Sequence, residues 1–279
     1  MMQEDFSKYN GEGTKLRQAQ ICMLNIMVEV DKICRKNNIP YWLDSGTLIG
    51  AVRHGGFIPW DDDIDICILE KDYKRLREAL IKELPSRYIF CDSKTDQYFF
   101  ETCYCRVKDT YTSCDYPLFR KQKSQGLWID IIPLIPATPK WYKGGIEYIY
   151  GRVSREMHNF STSKGLPKWQ CVVNKTIAYL LYPTAYTLRI IGNIWARCRN
   201  NQELMFSWGS YFNSRRYLDE VFPLSEIEFE NHKFYVPHNT HIYLQRIYGD
   251  YMKLPEESKR QIHMDVETMK FNIYPSAND

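Results

Sequence analysis

Asp61, Asp62, Asp63 and Asp65 crowd four carboxylates into five positions, and the last two flank Ile64 at the mouth of an apolar run that continues Ile66-Cys67-Ile68-Leu69. That run reads as a buried strand. Side chains two apart on a strand share a face, so Asp63 and Asp65 are expected to point the same way, with Ile64 and Ile66 in the core. Carboxylates held together in this way repel each other. A divalent cation relieves the repulsion, and oxygen ligands from one or two carboxylates plus a phosphate suit Mg²⁺ or Mn²⁺. Pro59 and Trp60 come just before the acids, which puts them at a turn-to-strand junction and not in a solvated acidic tail. Upstream, Ser45-Gly46-Thr47 and Gly50 lie between hydrophobic positions, a composition that lets backbone N–H groups and hydroxyls approach a phosphate closely. A backbone cradle and a metal are the two halves of a site for a nucleoside di- or triphosphate.

A further acid stands out. The stretch GLWIDIIPL from Gly126 to Leu134 is almost wholly apolar, yet Asp130 sits in its middle. A charged Asp in such a strand costs several kcal/mol unless it is paired or bound to metal. Asp130 is therefore the candidate third metal ligand, the alternative being that a nearby Arg or a backbone donor satisfies it.

The elements that must position these groups can be read from periodicity. Leu16, Ala19, Met23, Ile26, Val30 and Ile33 recur at helical spacing and predict an amphipathic helix from about Thr14 to Asn37, ended by Asn37-Asn38-Ile39-Pro40. Tyr41 to Leu43 reads as a short strand, Ser45 to Gly50 as a turn, and Ala51 to Arg53 as a helical turn. Glu70 and Asp72 open a second helix with Tyr73, Leu76, Leu80 and Leu84 on one face, closed by Pro85. Tyr98 to Val107 and Leu127 to Ile132 are predicted to be extended. From Pro136 aromatic and basic residues interleave (Trp141, Tyr142, Lys143, Tyr148, Tyr150, Arg152, Arg155), suiting sugars or core packing. Cys171 to Ile194 is the most apolar segment. Pro183, Arg189 and Asn193 interrupt it and Arg197 and Arg199 follow, so a buried helix or one lying against anionic lipid is expected in place of a span. Ile227 to Phe229 and Phe234 to Val236 read as a hairpin, and His241 to Tyr248 as a helix stopped by Gly249.

The whole chain bounds the answer. Its 279 residues are 44% hydrophobic, 25% charged and 15% aromatic, which describes a globular protein and excludes disorder. With 37 basic against 34 acidic residues the net charge is +3, too balanced for nucleic-acid binding through counterion release. Met1 to Thr14 is polar and lacks the apolar core of a signal peptide, so the cytoplasm is the expected compartment. Nine scattered cysteines fit reduced thiols there. Cys91, Cys103, Cys105 and Cys114 cluster, but neither pair has the ligand gap of common zinc sites.

At three blocks the chain resembles the LicD family of phosphotransferases, which includes the fukutin-type enzymes and belongs to the wider nucleotidyltransferase fold. The blocks are LDSGTLIGAVRHGGFIPWDDDIDI from Leu43 to Ile66, GLWIDIIPL from Gly126 to Leu134, and YLQRIYGDYMKLPEESKRQIH from Tyr243 to His263. In that fold a small-residue turn precedes an Asp-x-Asp strand and a third acid comes from a later strand. The resemblance implies an α+β chain with a nucleotidyltransferase-like mixed sheet flanked by helices. It would form a single catalytic domain over 1–279, with a core at about 14–135 and 217–270 and a helical insertion at about 136–216.

The resemblance also implies the reaction: transfer of a phospho-alcohol, typically phosphocholine, from a CDP-activated donor to a hydroxyl of a cell-surface or lipid-linked glycan, releasing CMP. Asp63, Asp65 and Asp130 would hold Mg²⁺ or Mn²⁺, while Ser45, Gly46 and Thr47 cradle phosphate oxygens and Arg53 donates to them. Asp130 would be the base that deprotonates the acceptor hydroxyl, with Asp61 or His54 next in line, and His263 would touch donor or acceptor. Two rival readings stand beside it. One is a nucleotidyltransferase that moves a nucleotide from a nucleoside triphosphate and releases pyrophosphate; the other is a noncatalytic glycan-binding protein of the same fold. Choline, ethanolamine, ribitol and glycerol differ in groups that no motif reads.

Overall fold

A computed structural model describes residues 5–96, 98–99, 104–116, 120–142, 149–150, 153, 167–199, 202–206 and 214–272. Cys103 and much of the aromatic-basic stretch (Lys143, Tyr148, Arg152, Arg155) lie outside the described residues. A short helix α1 (Ser7–Asn10) leads into α2 (Lys15–Lys36), β1 (Tyr41–Leu43), α3 (Ser45–His54), β2 (Asp65–Leu69), α4 (Tyr73–Glu83), β3 (Tyr88–Cys91), β4 (Cys105–Asp109) and β5 (Trp128–Pro136). Then come α5 (Lys168–Cys198), β6 (Glu203–Phe206), β7 (Arg216–Tyr217), α6 (Leu218–Val221), the hairpin β8 (Ser225–Phe229) and β9 (His232–Val236), and α7 (Thr240–Tyr248). The fold is α+β.

The expected first helix forms as α2. Thr14 caps it by accepting from the Arg17 N–H at 3.2 Å, and its apolar stripe of Met23, Ile26, Met27 and Val30 is fully buried against α4 and strands β4 and β5. The sheet runs in the order β1-β2-β5-β4-β3. Among the described strands only β2 and β5 pair in parallel, so the sheet is mixed. The hairpin packs on β1 and α3, turning at Glu230 and Asn231, whose φ values of +51° and +62° suit a tight two-residue turn.

Strand β5 organises the centre. One edge pairs with β2; the other is shared, with β4 along Trp128–Ile131 and β6 along Leu134–Pro136. The Asp130 N–H bonds to the Ile64 carbonyl at 2.8 Å, towards β2. By alternation, residue 133 would donate to the shared edge, but Pro133 has no N–H. The missing donor falls where β4 has ended and β6 has not begun, and this break in the ladder opens the sheet.

Several expectations need correcting. Ser45 to Gly50 is the first part of a continuous helix and not a turn, because Asp44 enters in extended conformation and Gly55 ends the helix at φ +68°. Asp63 lies just before the strand, which starts at Asp65. Of the extended run Tyr98 to Val107, Tyr98 and Phe99 are outside any strand, residues 100–103 lie outside the described residues, and β4 takes up the end. The stretch 136–216 contains the long helix α5 but returns to the sheet as β6, whose Met205 joins Ile135, Ala137, Tyr150 and Ala185 in a second small core.

Candidate active site

Where β4 and β6 part, a cavity of about 240 Å³ opens, lined by Ser45, Asp63, Asp65, Arg106, Asp130 and Arg216 together with the rings of Tyr104, Phe206 and Tyr248. Pairing puts its acids there. Asp65 and Asp130 are register partners across the parallel β2–β5 pair, and Arg106 of β4 is the partner of Asp130 on the other side. Arg106 Nε donates to Asp130 Oδ1 at 2.6 Å and Trp128 Nε1 to Oδ2 at 3.2 Å. The arginine expected as the alternative partner of Asp130 is present, and the carboxylate also lines the cavity.

Helix α3 begins at the cavity wall. Ser45, its first residue, has φ +51°, an uncommon conformation for a residue with a side chain and one that tends to mark functional sites. The preceding Asp44 is fully buried. It accepts from Arg216 Nη2 at 2.6 Å, from the Tyr243 hydroxyl at 2.7 Å and from the Cys67 thiol at 3.1 Å. Burial pushes the Asp44 carboxyl up, but the Arg216 guanidinium and the hydrogen bonds outweigh it and hold the group below its ordinary range. Arg216, 1% exposed, lies over the Phe206 ring and also binds Ser214. Asp44, Arg216 and Tyr243 thus tie β1, β7 and α7 together at the cavity wall, to which Arg216 contributes.

The acidic loop is pinned from three sides. Gln20 of α2 donates to the Asp61 carbonyl at 2.9 Å, Asp62 accepts from the Met264 N–H and lies 3.4 Å from His263 Nδ1, and the Asp65 N–H donates to the Thr47 hydroxyl at 2.9 Å. Carboxylate oxygens of Asp61, Asp62 and Asp63 come within 4.8 Å of one another. Asp61 Oδ2 is buried without a hydrogen-bond partner, packed where a Cβ on Gly46 would come within 2.6 Å of it. Burial, Asp130 and Asp62 push the Asp63 carboxyl up to about 7, against a smaller opposing effect of His263. Burial and the charges of Asp63 and Asp130 raise Asp65 well above the usual carboxylate range, and burial with Asp63 and Asp62 does the same for Asp61.

The structure gathers Ser45, Asp63, Asp65 and Asp130 around one cavity, with Gly46 and Asp61 directly behind it. Thr47 is buried and binds the start of β2, so its side chain does not line the cavity. Arg53 and His54 sit at the far end of α3, roughly 12 Å along its axis from Ser45. There Arg53 Nε donates to His54 Nε2 at 2.9 Å and Arg53 Nη1 to the Tyr251 carbonyl at 2.8 Å, so neither side chain is brought to the cavity as a base or a phosphate donor. His263 stands at the edge of the acidic loop, its side chain 71% exposed. A larger cavity of about 770 Å³ at the other end of β2 is mostly apolar, with Leu69, Leu134, Leu204 and Phe222, and its charged residues Glu70, Lys71, Arg197 and Asp219 are of both signs.

The donor set fits a hard divalent cation. Half-buried carboxylates that repel one another, with one buried oxygen left without a donor, are what Mg²⁺ or Mn²⁺ would satisfy.

The description LicD/FKTN/FKRP, nucleotidyltransferase domain, fits residues 38–167. The lipopolysaccharide cholinephosphotransferase LicD of Haemophilus influenzae is 29% identical over 267 residues, 89% of this chain and 95% of that protein. The ribitol 5-phosphate transferase FKRP of Homo sapiens is 53% identical over 34 residues, 12% of this chain and 7% of its own length. The ribitol-5-phosphate transferase FKTN of Mus musculus is 42% identical over 43 residues, 15% and 9% of the two chains. With its acids on adjacent strands beside the start of a helix, and with likeness that runs almost end to end along the bacterial enzyme, the chain carries a LicD-family nucleotidyltransferase domain over residues 38–167.

Proposed function

We propose that this protein is a LicD-family phosphotransferase that moves phosphocholine from a CDP-activated donor to a hydroxyl of a cell-surface or lipid-linked glycan, releasing CMP. The observation that carries the reading is the convergence of Asp63, Asp65 and Asp130 on a cavity that begins at the first residue of α3. These three carboxylates are proposed to hold Mg²⁺ or Mn²⁺. When bound, the ion offsets pyrophosphate charge and stabilises the leaving CMP. Helix α3 presents the N–H groups of its first turn, the positive end of its dipole, to the donor phosphates. Asp130, oriented by Arg106 and Trp128, takes the proton of the acceptor hydroxyl as it attacks. His263, at the exposed edge beside Asp62, is proposed to meet donor or acceptor.

Choline is favoured among the alcohols on two grounds. The long match is to a cholinephosphotransferase, whereas the ribitol-phosphate transferases match short segments. Tyr104, Phe206 and Tyr248 also line the cavity, and aromatic faces attract a quaternary ammonium. Eight described cysteines are free thiols, which supports a reducing compartment such as the cytoplasm.

The test is CMP release from CDP-choline, CDP-ethanolamine, CDP-ribitol and CDP-glycerol, with Mg²⁺ or EDTA and with Asp65→Asn as control. Metal-dependent CMP from CDP-choline, absent in the variant, is the expected result. Pyrophosphate release from a nucleoside triphosphate, with no CMP from any CDP-alcohol, would transfer the assignment to a nucleotidyltransferase.

A further inference from the structure

Helix α5 breaks the usual rule for a helix packed on a sheet. Its 31 residues, roughly 46 Å long, bury only Ala178, Ala185, Gly192 and Ala196, a narrow inward stripe of small side chains. The large apolar side chains point elsewhere. Leu180 is 74% exposed, Trp169 64%, Ile194 57% and Ile191 53%. At helical spacing Trp169, Val173, Leu180, Ile191 and Ile194 fall on the side opposite the buried stripe, giving a mainly apolar face in which Thr176 and Thr187 turn their hydroxyls back to the Val172 and Pro183 carbonyls. Trp141, 74% exposed, stands apart from this face, next to Tyr142, which donates to the Leu188 carbonyl at 2.5 Å and packs on Gly192 of the inward stripe. An apolar face of this extent on a protein surface marks an interaction site.

Charge identifies what covers it. There is no acidic residue between Glu156 and Glu203, while α5 carries Lys168, Lys175, Arg189 and Arg197 and is followed by Arg199. Lys168, Lys175 and Arg197 recur near whole numbers of turns and so share one flank, bordering the apolar face together with Tyr179 and Tyr186. Arg189 lies nearer the protein, donating to the Tyr150 hydroxyl at 2.7 Å, and Arg197 is anchored to Glu70 at 2.6 Å. Among the described residues no helix is long and apolar enough to cross a membrane. An apolar face, a basic flank with interfacial tyrosines, and tryptophans near both ends are the marks of a helix lying in the headgroup region of an anionic bilayer.

We propose that α5 docks the protein on the surface of an anionic membrane, its apolar face in the acyl boundary and its basic flank at the headgroups. The proposal is independent of the donor's identity. It is tested by flotation of the full chain with phosphatidylglycerol-containing vesicles and with phosphatidylcholine vesicles, in low and high salt. Flotation with the anionic vesicles, weakened by salt, is the expected result. Leu180→Glu/Ile191→Glu should reduce the bound fraction about tenfold or more, given the apolar burial it removes. Ile81→Glu, on an exposed position of α4, should float like the wild type, and circular dichroism and melting should be unchanged in both variants. A blue shift of tryptophan fluorescence with anionic vesicles should accompany binding. No flotation of the wild type, or equal flotation of Leu180→Glu/Ile191→Glu, would overturn the proposal. So would a wild-type dimer that the same substitutions split while neither form binds vesicles, since the face would then be an interface between copies.

Discussion

Asp65 and Asp130 are register partners on the parallel strands β2 and β5, and among the described residues only Asp130 of the two pairs with an arginine. A parallel pair fixes both backbones, so the two carboxylates cannot drift apart to relieve their repulsion. Replacing either with Asn removes a ligand from the proposed metal site without changing shape or volume. Turnover should fall on the order of a thousandfold, since metal stabilisation of transition-state charge amounts to several kcal/mol. Asp65→Asn should keep or raise the melting temperature of the metal-free protein because it deletes a raised, repelled carboxyl. Wild-type turnover by Asp65→Asn would remove that residue from the metal site.

Proton and metal compete for these acids. In the metal-free protein the Asp63 carboxyl is pushed up to about 7 from an unfolded value near 3.8. A group raised on folding contributes its stability below the unfolded value and loses it as pH climbs through the folded one. Between about pH 4 and 7, therefore, the Asp63 contribution to metal-free stability should decline with rising pH, and Mg²⁺ should restore it above 7. Affinity for the metal should rise over the same range because ligands must be deprotonated. Calorimetric titration of Mg²⁺ at pH 6 and pH 8, with melting curves in EDTA, checks both; an affinity independent of pH would contradict the assignment of Asp63 as a ligand.

Local signals in the chain were a good guide to local structure. The apolar spacing before Asn37 gave α2 almost to the residue, the two strands carrying Asp65 and Asp130 lay where their apolar runs began, and the hairpin formed between its two runs, with a tighter turn than the four residues Glu230 to Lys233 suggested. What could not be read was any partner set by tertiary pairing. Asp44 stands inside the block quoted for the family and was not singled out, because its partners Arg216 and Tyr243 lie 172 and 199 positions away. Arg106 was equally silent: only the β4–β5 register places it beside Asp130. An acid between Leu43 and a small-residue helix start was the available clue to Asp44. Arg53 and His54 misled for a related reason, since a helix carries the end of a motif away from its beginning.

The Asp44–Arg216 pair is buried on both sides, with side chains 0% and 1% exposed. Removing one partner leaves a charge without its counterion in the core. Arg216→Met or Asp44→Asn should each cost about 3–5 kcal/mol of stability. The double substitution should cost less than the sum of the two, because neither charge then remains. Denaturant unfolding of the four proteins measures the coupling, and strict additivity would show that the pair is not a unit.

Gly46 and Gly50 are four residues apart on one helix, yet alanine should act differently at each. A Cβ at Gly50 would come 2.4 Å from the Gly56 carbonyl oxygen and 2.9 Å from the Ile58 nitrogen, both backbone atoms that can move only with the loop. Gly50→Ala should therefore destabilise the fold by about 1–3 kcal/mol, as overpacking does. At Gly46 the atom met is Asp61 Oδ2 at 2.6 Å, the end of a side chain that can rotate. Gly46→Ala should leave melting nearly unchanged but push the Asp61 carboxylate out of its place behind the cavity. Its effect should appear in weaker Mg²⁺ binding and slower CMP release. If Gly46→Ala instead melted as early as Gly50→Ala with normal metal affinity in the folded fraction, Gly46 would be a packing residue, and the placement of Asp61 would have no bearing on the metal.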